Sequence, residues 1–154
     1  MATERSEFLL NQQLCFALHD ASRAMTGAYR PLLEEIGLTY SQYAVMLVLW
    51  EHGSVSLGFL CEQLHLDSGT LSPLLKRLEA QGALTRKRRV EDERTIQLTL
   101  TSLGWELRAR ARGAQARVEV ATALNLRELT ALRDELHALA ARLRAAELQP
   151  GAAS

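Results

Sequence analysis

Asp67-Ser-Gly-Thr-Leu-Ser-Pro-Leu-Leu-Lys-Arg-Leu-Glu-Ala-Gln-Gly82, running straight into Ala83-Leu-Thr-Arg-Lys-Arg-Arg-Val-Glu-Asp-Glu-Arg-Thr-Ile-Gln-Leu-Thr-Leu100, is the stretch on which the fold turns. Leu71, Leu74, Leu75 and Leu78 recur at the spacing of one helical face, and Gly82 is a natural stop. Pro73 fits only near a first turn, so regular helix is expected nearer Thr70 than Ser68. After Gly82 the period changes to two. Ile96, Leu98 and Leu100 alternate with Thr95, Gln97 and Thr99 as a half-buried strand, Leu84 to Val90 is its expected partner, and Glu91 to Arg94 make the tip.

Outward from this stretch, Leu57, Leu60, Cys61 and Leu64 form the face of a short helix between Val55 and Leu66, and the Leu66-Asp67-Ser68 turn joins it to the next. Two short helices with a tight turn make a helix-turn-helix, and a hairpin after it makes a winged helix-turn-helix spanning about 54–101. Upstream, a helical stretch from Phe8 to Ile36 is expected to bend or break at Gly27 and Pro31. Thr39 with Gln42 is a capping-box signature for a helix running to Trp50 and ending near Gly53. Downstream, an Arg-rich helix covers Leu103 to Thr122. Asn125 and Glu128 cap a last helix striped with Leu129, Leu132, Leu136, Leu139 and Leu143, and 148–154 reads as a disordered tail. The class is mainly α with a small β-wing, in a single domain over 1–154.

The 154 residues, 47% of them hydrophobic, suffice for one core. The chain lacks an apolar run long enough to span a bilayer and a secretory leader, which leads to the expectation of a cytoplasmic protein with free thiols. A formal net charge of zero hides a segregation. Acids prevail over Arg5, Arg23 and Arg30 up to Leu66, whereas Lys76, Arg77, Arg86, Lys87, Arg88, Arg89 and Arg94 crowd the helix and hairpin. Local charge density governs phosphate binding.

With the leucines inward, Ser68, Thr70, Ser72, Lys76 and Arg77 project outward, where hydroxyls and cations can meet phosphates and base edges in a major groove. A plain solvated face would look similar; the adjoining hairpin favours double-stranded DNA. Arg94 at the tip is the candidate minor-groove probe, with Asp92 expected to hold it extended through an ion pair, against the alternative of a charge-compensated surface turn. Arg86 is a further candidate contact, since only alternate strand residues can face DNA. The leucine stripe and the apolar first helix point to a homodimer through helices 8–36 and 103–147, which would set two reading helices roughly 34–36 Å apart for a pseudo-palindromic operator. The stripe could instead fold back on its own domain.

Cys61, on a leucine face, reads as a small buried hydrophobe, and Cys15 at the margin of an apolar stripe reads the same way from its position alone. His19, His52, His65 and His137 are scattered, and the chain shows no metal-ligand spacing, cofactor motif, phosphate loop or nucleophile elbow.

At these residues the chain resembles the MarR family of winged-helix repressors. Asp92-Glu-Arg94, Leu100-Thr101 and Gly104 are similar to the family's wing signature. Asn11-Gln-Gln-Leu-Cys15-Phe16, Leu38-Thr-Tyr40-Ser-Gln-Tyr43, Leu49-Trp-Glu51 and Leu66 to Leu78 resemble its organic-hydroperoxide-sensing, OhrR-like branch. The resemblance runs from Asn11 to Gly104 and implies a repressor that releases its operator when Cys15 is oxidised. It implies a Cys15 thiolate hydrogen-bonded by Tyr29 and Tyr40, drawn from the partner subunit. Two departures stand out: His19 replaces a frequent tyrosine, and no cysteine follows Cys61. The second implies the one-cysteine mode, in which a low-molecular-weight thiol caps the oxidised Cys15 or the sulfur is over-oxidised. Two rivals remain at this point: a repressor released by a non-covalent aromatic ligand, and a thiol peroxidase.

Overall fold

The N-terminal stretch folds as a short 3-10 turn, Leu10–Gln12, and one continuous helix, α1 (Leu14–Glu34). These elements come from a computed structural model that describes residues 8–148 and Pro150. The break expected at Gly27 and Pro31 does not occur. The amide missing from Pro31 would have bonded the carbonyl of Gly27, four residues back, and both residues are exposed, so water can serve that carbonyl. Gly27 also has open space around it where the proline ring must fit. The helix closes at Gly37, φ +75°, where the Gly37 and Leu38 amides bond back to Glu34 and Leu33.

Helix α2 (Tyr40–His52) starts from the expected capping box. The Gln42 amide donates to the Thr39 hydroxyl at 3.2 Å, and the Thr39 amide donates to the Gln42 side chain at 2.9 Å. Tyr43, Val45, Met46, Leu49 and Trp50 are all buried, so α2 is a central helix. It ends at Gly53, φ +74°. The next residues depart from expectation: Ser54–Ser56 is not helix but a strand, β1. Three residues are too few for an alternation to show in sequence. Helix α3 (Leu57–Leu64) then begins under a Ser56 cap, and α4 (Ser68–Ala80) follows a turn through His65 at φ 53°.

Helix α4 starts at Ser68, two residues before the expected Thr70. The Asp67 carboxylate accepts the Thr70 amide at 2.7 Å and so fixes the first turn. Pro73 is tolerated inside because its missing partner is the carbonyl of exposed Gly69. Gly82 ends the helix, with the Gly82 and Ala83 amides bonding Glu79 and Leu78. The wing strands are β2 (Leu84–Arg88) and β3 (Ile96–Leu100), with Leu84 opposite Leu100 and Arg88 opposite Ile96. The wing has three strands rather than two: β1 pairs antiparallel with β3, Val55 facing Leu98, giving the order β1-β3-β2.

Leu33, Met46, Leu49, Leu60, Leu71, Leu75, Leu78 and Leu98 are fully buried and form the core of this unit. Each such side chain contributes on the order of 1.5–3 kcal/mol. Helix α5 (Ser102–Ala121) leaves the wing at Gly104, where a side chain would drive into the Ala83 carbonyl. The Trp50 indole donates to the Gly104 carbonyl at 2.8 Å, pinning this approach to α2. The chain divides into two compact units, one up to Val118 and one from Glu119. In the second, the expected Asn125–Glu128 capping box opens α6 (Leu126–Ala145), a helix that buries none of its residues. Leu132, Leu136 and Leu143 of the expected stripe are exposed. The expected disordered tail lies mostly outside the described residues.

Candidate functional site

The outward face of α4 is assembled as its leucine spacing requires. Leu71, Leu75 and Leu78 point into the core, which leaves Ser68, Thr70, Lys76 and Arg77 exposed and Ser72 half-buried. The Thr70 amide, then its hydroxyl, hold the Asp67 carboxyl below the usual carboxylate range. The cap therefore stays charged to lower pH than an ordinary aspartate would. Among the described residues, Lys76 and Arg77 make no ion pair, so both cations are available to phosphate or base.

The wing corrects one expectation and gives Arg86 a partner within the chain. Asp92 does not hold Arg94 through an ion pair; its carboxylate accepts the Arg94 backbone amide at 3.0 Å and the Thr95 hydroxyl at 3.0 Å. A short acid at the start of a turn satisfies nearby backbone donors more easily than it reaches a long, solvated guanidinium. The tip is thus shaped by Asp92, while the exposed Arg94 guanidinium makes no ion pair among the described residues. Arg86, expected at the DNA surface, turns toward Glu79 of α4: Nε and Nη2 donate to Oε1 at 3.3 and 3.2 Å. Arg88 bonds the Glu93 carbonyl and Arg89 bonds Gln97, each at 2.9 Å, whereas Lys87 stays exposed. Glu79 is the partner of Arg86 that sequence reading missed, because the contact depends on a strand that packs beside it.

Cys61 also departs from expectation. It is half-buried, packed on the core at one side and lining a groove with Ser56, Ser68 and Arg94 at the other. Cys15 is a free, exposed thiol near the start of α1, with exposed His19 one turn on. Tyr29 is buried, Tyr40 is exposed, and their ring centroids lie 5.8 Å apart. Tyr43 joins them at 5.2 and 6.1 Å, and Trp50 extends the aromatic cluster from Tyr43 at 6.2 Å. Cys15 and Tyr29 stand fourteen positions apart on α1, about 21 Å along the helix axis. One chain therefore does not bring the thiol to the tyrosines. A cleft between α2 and α5, lined by Tyr43, Leu47, Trp50, Arg108 and Arg112, borders the same cluster. Among the described residues no group of three or more His, Cys, Asp or Glu could hold a metal ion, and no helix is long and apolar enough to cross a membrane.

A family model described as transcriptional regulator SarA/Rot matches residues 28–109, from Ala28 on α1 through the reading head and wing into α5. The organic hydroperoxide resistance transcriptional regulator of Bacillus subtilis is 51% identical over 102 residues, covering 66% of this chain and 69% of that protein. The HTH-type transcriptional regulator TtmR of Methylorubrum extorquens is 45% identical over 138 residues, covering 85% and 71%. Among solved structures, AbfR of Staphylococcus epidermidis, in its reduced form bound to DNA, superposes with a TM-score of 0.74 at 34% identity, covering 93% of this chain and 99% of that one.

Proposed function

Because the chain belongs to the SarA/Rot family of transcriptional regulators, we propose that it is a homodimeric repressor that senses organic hydroperoxides through Cys15 and releases its operator when that thiol is oxidised. The observation that carries this reading is a free, exposed thiol on the helix that also carries Tyr29. If two copies of α1 cross antiparallel about Ser22, midway between them, Cys15 of one meets Tyr29 of the other. The 5.8 Å spacing of Tyr29 and Tyr40 would then bring both phenols to one sulfur. A phenol donating to sulfur favours the thiolate, and the thiolate is the nucleophile. His19, a turn away, would lie at the rim of the same site.

Attack of the sulfur on the outer peroxide oxygen breaks the O–O bond, leaving Cys15 as a sulfenic acid and releasing the alkoxide, which protonates to the alcohol. A low-molecular-weight thiol then condenses with the sulfenic acid, forming a mixed disulfide and water. The added bulk sits where Cys15 of one copy meets the tyrosines of the other, to one side of the helix crossing, and turns the heads out of register with two major grooves. In this reading Ser68, Thr70, Ser72, Lys76 and Arg77 read the major groove and Arg94 probes the minor groove. The protein works in the cytoplasm, where the DNA is. The likeness to a relative named for organic hydroperoxide resistance supports the choice of oxidant. The peroxidase rival falls with the family, which is one of regulators rather than enzymes.

The test is intact-mass analysis paired with operator binding after stoichiometric cumene hydroperoxide. Wild type is expected to gain mass at Cys15 and to lose DNA affinity, whereas Cys15→Ser binds DNA and ignores peroxide. Release of the Cys15→Ser protein by peroxide would sink the assignment, and release without added mass would favour the non-covalent aromatic ligand.

A further inference from the structure

We propose that Glu79 is a positioning residue for DNA recognition, locking the angle between the recognition helix α4 and the wing through Arg86, and that Arg86 does not contact phosphate. The Glu79 carboxylate takes three bonds from this one residue. Oε2 accepts the Arg86 backbone amide at 3.2 Å, and Oε1 accepts Nε at 3.3 Å and Nη2 at 3.2 Å. The Arg86 and Glu79 side chains are only 25% and 39% exposed, so the pair is partly shielded from screening.

The amide is the telling contact. Strand β2 lies at the sheet edge, because β3 sits between it and β1. An edge strand presents unpaired N–H groups that a protein must cover or leave to water. Glu79 covers that of Arg86, so α4 and the wing are joined through backbone as well as side chain. Three contacts on one carboxylate prevent the hairpin from pivoting about Leu84, where it leaves the helix. The Arg94 tip lies at the far end of the same hairpin. A small rotation at Arg86 is therefore magnified at Arg94, which is the part that has to find a minor groove.

Electrostatics alone predicts the opposite outcome for a Glu79 variant. An acid beside a DNA surface repels phosphate, so removing it should strengthen binding. The clamp predicts that removing it weakens specific binding, because the tip loses its aim. The inference rests on the DNA-reading assignment and not on the redox reading.

The experiment measures binding to a duplex selected from a random pool by the wild-type protein, and to a scrambled duplex of equal length, over a range of salt. Glu79→Ala is expected to weaken the selected duplex by about tenfold or more, the size of one lost base-reading contact, and to leave the scrambled duplex as tightly bound or tighter. Arg86→Ala is expected to leave the salt slope unchanged, whereas loss of a phosphate contact would lower it by roughly 0.9. The double variant should resemble Glu79→Ala, because Arg86→Ala removes the two guanidinium bonds but keeps the amide one. Glu79→Gln, which keeps an acceptor for the amide, should fall between wild type and Glu79→Ala, and thermal melts establish that each variant is folded.

Hydrogen exchange at the Arg86 amide supplies a readout without DNA: protection in wild type should be lost in Glu79→Ala. Selected-duplex affinity that holds or rises in Glu79→Ala, a slope change near 0.9 in Arg86→Ala, or unaltered exchange would each overturn the clamp. Failure of wild type to select any duplex would instead strike the DNA-reading assignment, with the exchange result still deciding the clamp.

Discussion

At the scale of single residues, the chain combines positions whose role is local with positions whose role is not. Asp67 is local: an acid placed to cap α4, with its carboxylate held by the Thr70 amide and hydroxyl. Its folded pKa is depressed, so its contribution is present above the ordinary aspartate value of ~3.9 and is lost as pH falls through the lower folded value. Asp67→Ala should therefore melt below wild type at neutral pH, with the gap closing only below about pH 4; a gap that persists under strongly acid conditions would contradict the cap. The sequence reading left Asp67 in the turn before α4, because Pro73 moved the expected start of the helix toward Thr70, although a cap needs only its own helix. Glu79 could not be read at all, because its partner lies seven positions on in a strand whose edge had to be located first. Cys15 is a third kind of residue: position alone gives an ordinary core thiol, resemblance gives a sensor, and the structure leaves it exposed on α1.

At the scale of elements, most helices and the hairpin could be read because their signals lie within a few residues. The capping boxes at Thr39 and Asn125 and the stop at Gly82 appear as expected. The errors share a cause. Proline at 31 and at 73 follows glycine by four residues in both helices, and exposure of each glycine removes the penalty that proline rules assume. Strand β1 exists only because β3 is there to pair with it. Glycine in α5 makes the same distinction testable. Gly104→Ala should destabilise by roughly 1–3 kcal/mol, because its side chain meets the Ala83 carbonyl at a junction also held by Trp50. Gly113→Ala, in open space on the same helix, should be neutral or stabilising by up to about 1 kcal/mol. Denaturant midpoints for the two variants check this, and equal effects would remove Gly104 from its role.

At the scale of the whole molecule, the proposed switch needs two chains, since Cys15 lies about 21 Å along α1 from Tyr29. Helix α6 buries none of its residues, and Leu132 and Leu136 remain exposed on it. If these leucines form a subunit contact, Leu132→Asp with Leu136→Asp should shift the protein to monomer in sedimentation and weaken operator binding, while far-UV circular dichroism shows the helices retained. A dimer that survives both changes would place the interface elsewhere. The sequence by itself determined the order of the helices and the wing hairpin, the leucine faces that bury α3 and α4 and the cationic outer face of α4, because each depends on periodicity or a neighbour within one turn. Only the tertiary structure decided which cations stay available, that Asp92 shapes the wing tip through backbone, that Glu79 fastens the wing, and that thiol and tyrosines stand apart in one chain. Those outcomes depend on which side chains meet across elements, and spacing along a chain does not carry that distance.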